Sequence, residues 1–355
     1  MKVLYKLYPG CFITRGHNRS VLVDSQRDTY YYIPNSMTDL FLNDSLEIED
    51  HELKSNLILK EYLDFVINNE VCYKLDSYIG STFTRLMNDY QTNAIITNAV
   101  IEIDNLNQTN ETLYSTIETL TRKCNMRYAD FILYNIISIE ILSQLLSELD
   151  KFDLHSYNIA FDLPTLSNNN ITKYVNELKS HHKIFRSELF NSPNNEIIQS
   201  DLLGWGNIFT LKEKYTPKCC GQIHTSYFNT NIKHYQESLK YNTCLNQKLS
   251  IDLLGNIKNC PSMEQIFGNI FNENIVTIIN NSSLKQIWTI TKDQIDTCSI
   301  CEHRNICSDC RAYIEQPENL FSKPLKCGYD PQTNTWQDWK SIPSKFNAIK
   351  EYSFI

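Results

Sequence analysis

Long apolar runs are missing from this sequence of 355 residues. No segment approaches the ~18 apolar residues that a membrane-spanning helix needs. The opening segment MKVLYKLYPGCFITRGHNRS also lacks the continuous apolar stretch of a signal peptide. We therefore expect a cytoplasmic protein that has no membrane partner. In that reducing compartment, cysteines more often bind metals or clusters than form disulfides.

An excess of positive charge is missing as well. Lysine and arginine total 33 residues against 41 of aspartate and glutamate, so the formal net charge is -8. A domain that holds nucleic acid through its phosphates needs the opposite sign, and we expect no nucleic-acid partner. The apolar fraction of 42% and the charged fraction of 21% are close to globular averages, which excludes disordered, collagen-like and coiled-coil proteins.

Common phosphate-binding and nucleophile motifs are also missing. The chain contains no P-loop, no G-x-G-x-x-G and no G-x-S-x-G. The first two motifs bind phosphates and dinucleotides, and the third holds the serine nucleophile of many hydrolases. Nucleotide binding and acyl transfer therefore have no recognisable site in the sequence.

Residues 1–90 predict a small module of mixed strands and helices. The run VLVDSQRDTYYYIP has the residue types of two strands joined by a turn, and Pro34 ends the second strand. Apolar residues at helical spacing follow at Leu59, Leu63 and Val66, before the short strand-like run VCYKL. We interpret this order of strands, helices and a closing strand as a winged-helix module.

Residues 91–215 alternate between strand-like and helical patterns. The runs NAIITNAVIEID, ADFILYNI, YNIAFDL and KIFRSELF are rich in strand formers, and the helical patterns LYSTIETLTRKC, SIEILSQLLSEL and ITKYVNELKS separate them. Such alternation is typical of parallel βα units. About five units are too few for a closed barrel of eight strands, so we expect an α/β fold with a degenerate partial barrel or an open sheet. Residues 216–355 lose this alternation and are predicted to form a third, cysteine-rich domain.

The last third of the chain holds most of the cysteines. Of twelve in total, seven lie there: Cys244, Cys260, Cys298, Cys301, Cys307, Cys310 and Cys327. Four of these form a C-x2-C-x5-C-x2-C pattern within TCSICEHRNICSDCRAY. Two intervening residues let a tight turn present both sulfurs to one metal centre. The sequence therefore predicts a metal or cluster site in this segment.

Cys244 and Cys260 flank a second pattern. Between them, LSID and NIKN predict a β-hairpin that turns at Leu254 and Gly255. Such a hairpin would bring the two cysteines to one of its ends.

Sites made only of thiolates suit both iron-sulfur clusters and zinc. The x5 spacing is much shorter than the ~15–20 residues that separate the cysteine pairs of an ordinary zinc ribbon. Iron-sulfur clusters are therefore favoured. One or two zinc ions in the same ligands, and free or disulfide-bonded cysteines, stay open as alternatives.

This order of cysteines resembles the SPASM domain of radical SAM peptide-modifying enzymes. The resemblance covers Cys244-x15-Cys260 with Gly255-x4-Cys260, the four-cysteine pattern, and a separate last cysteine. In the usual domain three residues separate the cysteines of the second pair, whereas here two residues separate Cys307 from Cys310.

The resemblance implies two auxiliary [4Fe-4S] clusters. By position, the ligands of the first cluster are Cys298, Cys301, Cys307 and Cys327, and those of the second are Cys244, Cys260 and Cys310. Either Cys219 or Cys220 is the candidate for a fourth ligand of the second cluster, and an open iron site is the alternative.

The C-x3-C-x2-C triplet of radical SAM enzymes occurs nowhere in the chain. A SPASM-like region without this triplet resembles the SPASM-domain peptide maturases of grasp-with-spasm systems, which are encoded beside an ATP-grasp ligase and a short precursor peptide. The resemblance implies an accessory maturation protein for a ribosomally made peptide, with that peptide and the ligase as partners and no site for S-adenosylmethionine. No catalytic residue is assigned. The alternatives are an iron-sulfur enzyme that acts through an open-site cluster and a zinc-stabilised peptide-binding module.

The N-terminal module resembles the leader-recognition elements of peptide-modifying enzymes. These elements bind a leader as an added strand at a sheet edge, and here VLVDSQRD and TYYYIP would offer that edge. The alternative is a hairpin that only packs against the barrel.

Other residues are expected to play supporting roles. Polar residues between the predicted ligands should provide hydrogen bonds and charge compensation: Glu302, His303, Arg304, Asp309 and Arg311. Cys11, Cys72 and Cys124 have no partner pattern, and we expect them to be buried thiols.

Overall fold

The computed structural model describes residues 2–75, 89–104, 110–134, 138–163, 168–198 and 205–354. The chain forms two compact units, each assembled from separate segments. Unit 1 contains Met1–Gln91, Gly221–Cys244 and Thr289–Ile355, and unit 2 contains Thr92–Cys220 and Leu245–Trp288. Among the described residues, no helix has both the length and the apolar character needed to cross a membrane.

The N-terminal part of unit 1 contains two antiparallel sheets of three strands. Its elements are β1 (Lys2–Leu7), β2 (Cys11–Arg15), β3 (Arg19–Asp24), β4 (Thr29–Pro34), α1 (Asn35–Thr38), β5 (Ser45–Glu49), α2 (Asp50–Ser55), α3 (Leu57–Asn68) and β6 (Cys72–Leu75). The strand orders are β5-β1-β6 and β2-β3-β4. The Asn56 side chain accepts from the Leu59 backbone N–H at the start of α3, which satisfies one of the free donors there.

The predicted hairpin between β3 and β4 is confirmed, with Asp24 opposite Thr29 and Arg19 opposite Pro34. One detail of the sequence interpretation is wrong. Because β3 is the central strand of its sheet, both of its edges are paired, and the VLVD run cannot receive an added strand. The outer strands β2 and β4 are the ones at the sheet edges.

Unit 2 is built on a mostly parallel sheet of nine strands. Its first elements are β7 (Asn98–Ile103), α4 (Asn110–Lys123), β8 (Tyr128–Leu133), α5 (Ile139–Leu149), β9 (Ser156–Asp162), α6 (Asn168–Ser180), β10 (Ile184–Phe190), β11 (Glu196–Ile198) and β12 (Asn207–Thr210). Strands β7 to β10 pair in parallel with their neighbours in chain order, so the predicted parallel βα units are confirmed. Residues 105–109, which follow Asp104 in the sequence, lie outside the described residues.

The chain then contributes α7 (Ile232–Ser238) to unit 1 before it returns to unit 2. The returning segment forms β13 (Lys248–Ile251), β14 (Asn256–Lys258), β15 (Gly268–Asn269), α8 (Ile275–Ile279) and α9 (Ser282–Gln286). The predicted hairpin of β13 and β14 is confirmed, and Gly255 in its turn has φ +77. Strand β13 pairs in parallel with β7, which gives the order β11-β12-β10-β9-β8-β7-β13-β14-β15.

The C-terminal part of unit 1 has little regular structure. It contains β16 (Tyr329–Asp330), β17 (Thr335–Trp336), α10 (Phe346–Glu351) and several short 3-10 turns. Two of these turns, Lys292–Gln294 and Cys298–Ile300, lead into the cysteine motif. Side-chain contacts therefore hold much of this segment in place.

Candidate metal centre

Four predicted ligands come together in unit 1. Burial raises the pKa of Cys298 to about 11 and that of Cys307 to about 12, and the neighbouring Cys327 thiol contributes to both increases. Burial also holds the pKa of Cys301 well above its usual value, and Cys298 and Cys307 add to that effect. Cys327 thus acts electrostatically on Cys298 and Cys307, and these two thiols act on Cys301.

Successive tight turns gather three of these thiols. The Cys301 N–H donates to the Cys298 carbonyl at 2.9 Å, which closes the 3-10 turn between the first two. The Cys307 N–H donates to the His303 carbonyl at 3.0 Å, so the chain turns again before the third. These turns explain how the x2 and x5 spacings bring sulfurs to one place.

The fourth thiol is held by a buried lysine from the C-terminal segment. Lys345 Nζ donates to the carbonyls of Leu325 and Cys327 at 2.7 and 2.6 Å. The lysine itself is 1% exposed, and burial lowers its pKa to about 8. Its two carbonyl acceptors fix the backbone on both sides of Lys326, and therefore the position of Cys327.

A second buried lysine lies among the thiols. Lys292 Nζ is 3.7 Å from Asp309 Oδ1. Burial lowers the pKa of Lys292, but Cys307, Cys298 and Asp309 outweigh that effect and hold the pKa above its usual value. Lys292 in turn lowers the pKa of Cys298 and Cys307. Sequence reasoning missed this residue, because its only signal is its place in the turn that precedes the motif.

Asp309 is the centre of a buried polar network. Arg311 Nη2 donates to Asp309 Oδ1 at 2.9 Å, and Asn242 Nδ2 donates to Asp309 Oδ2 at 2.6 Å. Burial raises the pKa of Asp309, but Arg311 and Lys292 outweigh burial and lower it overall. Both polar residues that the sequence singled out here, Asp309 and Arg311, therefore pair with each other.

Glu302 is fully buried and accepts several hydrogen bonds through one oxygen. Its Oε1 accepts from Tyr329 Oη at 2.5 Å, Arg19 Nε at 2.7 Å and Asn334 Nδ2 at 3.2 Å. Since these donors come from both ends of the chain, Glu302 fixes the loop between Cys301 and Cys307 to its surroundings.

His303 lies beside the first thiol pair. Its Nδ1 is 3.7 Å from Cys301 Sγ, and its Nε2 is 2.9 Å from Tyr32 Oη. Burial lowers the pKa of His303 to about 4, so the ring is neutral near pH 7. In the part of the chain that the structure describes, ligand atoms of Cys301, Glu302 and His303 also lie within 4.8 Å of one another. Glu302 Oε1 has three donors and positions the loop, whereas Glu302 Oε2 is buried without a hydrogen-bond partner among the described residues.

The turn between β2 and β3 packs directly on this loop. The His17 N–H donates to the Ile300 carbonyl at 2.8 Å, and Arg304 Nη1 donates to the Arg15 carbonyl at 2.6 Å. A Cβ atom on Gly16 would lie 2.7 Å from Glu302 Cβ and 2.6 Å from the Arg19 carbonyl oxygen. Only glycine fits this close approach without a shift of the backbone.

The ligands predicted for a second cluster belong to both units. Cys244 and Cys310 are both in unit 1. The residues that precede them, Thr243 and Asp309, are hydrogen-bonded to each other, because the Asp309 N–H donates to Thr243 Oγ1 at 3.2 Å. These two cysteines are therefore on adjoining segments.

The remaining cysteines of that set, Cys260, Cys219 and Cys220, are in unit 2. Burial raises the pKa of Cys260, Lys248 opposes this increase, and Cys220 adds to it. Cys219 and Cys220 are exposed. The assignment of Cys244, Cys260 and Cys310 to one cluster stays a prediction.

The other three cysteines lie in apolar surroundings. Cys11, Cys72 and Cys124 are buried, as the sequence predicts, and burial raises the pKa of all three. None of the twelve cysteines, all of which lie in the described ranges, forms a disulfide bond.

Four gathered thiols can supply the soft, anionic donors that iron-sulfur clusters and zinc both accept. Comparison of the chain with known protein families, curated proteins and solved structures finds no match.

Proposed function

We propose that unit 1 binds a [4Fe-4S] cluster through Cys298, Cys301, Cys307 and Cys327. The observation that carries this proposal is the gathering of Cys298, Cys307 and Cys327 around the buried cation of Lys292, with Cys301 beside Cys298 and Cys307. The donor set fits the group, because iron-sulfur clusters are held by four cysteine thiolates. The fit extends to charge, since a buried cation compensates the negative charge that deprotonated thiols bring.

The residues of the chain have separable roles at this site. Because burial favours the protonated thiols, binding of a metal must release their protons, and Lys292 lowers the cost of that step. Lys345 positions Cys327, and Glu302 positions the loop that carries Cys301 and Cys307. When bound, a cluster would supply an electron-transfer centre or a structural cross-link.

The function that we propose is accessory maturation of a ribosomally made peptide beside an ATP-grasp ligase, without radical SAM chemistry. It is supported by the SPASM-like order of cysteines, by the gathered thiols and by the missing C-x3-C-x2-C triplet. We include a second [4Fe-4S] cluster at Cys244, Cys260 and Cys310 in this proposal. Zinc in the same ligands and an iron-sulfur enzyme are the alternatives.

The architecture proposed with this function is more specific than a mixed α/β fold. We propose that the parallel strands β7 to β10 with α4 to α6 form a degenerate partial (β/α) barrel. We also propose that α2, α3 and the β5-β1-β6 sheet form a winged-helix-like module. The order of elements along the chain supports both assignments.

Metal content after strictly anaerobic preparation tests the cluster. We expect brown protein with about four iron and four sulfide ions per chain for the first site, and about eight of each if the second set also binds. Cys301→Ala should lose the iron of the first site. Cys124→Ala is the matched control, because Cys124 is a buried thiol in the apolar core of unit 2. Colourless protein with stoichiometric zinc would overturn the cluster and support the zinc alternative.

Reconstitution tests the maturation role. The proposal predicts that a short peptide and an ATP-grasp ligase are encoded beside this chain. These two partners are mixed with ATP, and the mass of the peptide is followed with and without the protein. We expect modification to need the intact protein and to fail with Cys301→Ala. A Cys310→Ala protein that folds, but stops a chemical step that the purified chain performs alone, would favour the enzyme alternative instead.

A further inference from the structure

Glu302 has two carboxylate oxygens with very different surroundings. Its Oε1 accepts from Tyr329, Arg19 and Asn334. Its Oε2 has no hydrogen-bond partner in the part of the chain that the structure describes, although the residue is fully buried. A buried carboxylate oxygen without a partner is costly unless a donor or a cation binds to it. The Oε2 atom therefore indicates a site for a positively charged ligand.

Two further donor atoms lie beside this carboxylate. Within the described ranges, one ligand atom each of Cys301, Glu302 and His303 lies within 4.8 Å of the other two. His303 Nδ1 is 3.7 Å from Cys301 Sγ, and a hydrogen bond joins these two atoms. Zinc binds sulfur at about 2.3 Å and nitrogen at about 2.0–2.1 Å, so a tetrahedral ion separates two such ligands by about 3.6 Å. A zinc ion can therefore take the place of the shared proton with little movement of either side chain.

The imidazole of His303 is oriented as metal ligands usually are. Its Nε2 lies 2.9 Å from Tyr32 Oη. In the tautomer with its proton on Nε2, His303 donates to Tyr32 and leaves the Nδ1 lone pair for an ion. The rings of Phe228 and Tyr329 pack on the imidazole, with centroid distances of 4.8 and 4.7 Å. These contacts fix the ring before an ion binds.

The charges of the three side chains suit a divalent ion. One thiolate and one carboxylate together balance the charge of the ion, and a neutral imidazole adds none. Such a neutral site suits a buried position, because uncompensated charge is costly there. Four thiolates around the same ion would instead leave two negative charges. A thiolate, an imidazole and a carboxylate are all zinc ligands, whereas calcium and magnesium prefer oxygen alone.

We propose that Cys301 Sγ, Glu302 Oε2 and His303 Nδ1 form a three-ligand zinc site, distinct from the four-thiol set. The fourth position of a tetrahedral zinc ion is left for a water molecule. Binding releases the thiol proton of Cys301, and no oxidation state changes. Because Cys301 is also a predicted ligand of the first cluster, zinc at this site and a complete cluster exclude each other on one chain. That exclusion rests on the proposed cluster, whereas zinc binding by the three residues does not.

Zinc titration of the reduced, metal-free chain tests the site, with a fluorescent zinc chelator as the competitor. His303→Phe keeps a ring between Phe228 and Tyr329 but offers no lone pair. Even an outer partner of a metal ligand contributes about 10–100-fold in affinity, so this variant should weaken one tightly bound zinc per chain at least about a hundredfold. Cys327→Ala removes a member of the four-thiol set only and should retain that zinc. His17→Phe is the matched control, because His17 is exposed.

X-ray absorption at the zinc edge counts the ligands of the parent chain loaded with one equivalent of zinc. We expect one sulfur neighbour together with the scattering pattern of an imidazole. This measurement decides the matter if His303→Phe fails to fold in a thermal melt. Three or more sulfur neighbours would overturn the inference. Tight zinc binding that His303→Phe leaves unchanged, or that Cys327→Ala abolishes, would overturn it as well.

Reconstitution with iron and sulfide separates this inference from the proposed cluster. Zinc added first should reduce iron uptake at the first site of the parent chain but not of His303→Phe. A chain that binds zinc through one sulfur, but takes up no iron when zinc is absent, would overturn the cluster and leave the zinc site intact. Brown, iron-loaded protein whose metal-free form binds no zinc through His303 would do the opposite.

Discussion

Buried charges in unit 1 compensate one another around the thiols. Lys292 and Asp309 are both buried, and each holds the pKa of the other in the direction that keeps it charged. A charge removed from such a pair leaves its partner buried without compensation, which is costly. Replacement of Lys292 or Asp309 is therefore expected to change both the stability of unit 1 and the properties of the bound cluster.

Replacement of Lys292 by methionine tests its role as the compensating cation. Loss of one positive charge beside a cluster should lower its reduction potential by an amount on the order of tens of millivolts. The potential is measured by a redox titration monitored by electron paramagnetic resonance. Lys350→Met, at an exposed position of α10, should leave the potential unchanged. Equal potentials in the two variants would contradict the assignment.

His234 gives unit 1 a pH-dependent stability. Burial lowers its pKa to about 4, and Lys292 adds to this effect. In the unfolded chain this imidazole is protonated below pH ~6.5. Between that pH and about 4, the unfolded state therefore binds a proton that the folded state does not. Stability from this residue is therefore complete above pH ~6.5 and is lost as the pH falls towards 4.

Denaturant unfolding at two pH values measures this contribution. When the pH is lowered from about 7 to about 5, the free energy of unfolding should fall by about 2 kcal/mol less in His234→Gln than in the parent chain. His51→Gln is the control, because the His51 side chain is 76% exposed. The assignment is wrong if both variants follow the pH dependence of the parent.

The strands and turns of the N-terminal sheet act as a support for the cysteine loop. The turn between β2 and β3 donates to and accepts from the segment around Glu302, and Tyr32 on β4 reaches His303. Thr14 Oγ1 on β2 also donates to Asn305 Oδ1 at 2.9 Å in a buried position. The loop between Cys301 and Cys307 therefore depends on an element from the other end of the chain.

Gly16→Ala tests this support. The added methyl group would meet Glu302 backbone N at 2.8 Å as well as its Cβ, and neither atom can move away easily. We expect unit 1 to lose about 1–3 kcal/mol of stability in urea unfolding. Gly10→Ala is the matched control, because its methyl group would meet the flexible Gln26 and Ser25 side chains at 3.0 Å. Similar losses in both variants would argue against a specific contact at Gly16.

Each of the two units is assembled from segments that are distant in the chain. Unit 1 combines the N-terminal module with α7 and the cysteine-rich C-terminal segment, and unit 2 places β13 beside β7. The strands β7 to β10 thus receive a further parallel partner from beyond residue 244. The predicted ligands of the first cluster and their supports are consequently supplied by separate segments of unit 1 instead of by one contiguous domain.

The absence of the C-x3-C-x2-C triplet leads to a prediction for the whole protein. A radical SAM cluster needs three thiolates from one short loop, and no segment of the sequence has them. Reduced, iron-loaded protein incubated with S-adenosylmethionine and the precursor peptide should therefore form no 5′-deoxyadenosine above a protein-free control, measured by chromatography. Formation of 5′-deoxyadenosine that is lost when Cys310 is replaced would show that the protein does perform radical SAM chemistry.

The local elements of this chain could be predicted from its sequence. Hydrophobic periodicity is a property of neighbouring residues, so the alternation of β7, α4, β8, α5, β9, α6 and β10 could be predicted without a structure. The hairpins β3-β4 and β13-β14 followed from turn residues between strand formers. Cysteine spacing likewise predicted a metal or cluster site in the segment from Cys298 to Cys310, because short turns bring these thiols close, whereas the inclusion of Cys327 followed from the resemblance to the SPASM domain.

The surroundings of those thiols depend on contacts between residues that are distant in the chain. Lys345 holds Cys327 from 18 residues away, and Arg19 reaches Glu302 across a separation of 283 residues. No local pattern marks such pairs, since they depend on how separate elements pack and on which buried charges then need a partner. The same reason hid the edge position of β2, because strand order in a sheet is set by long-range pairing.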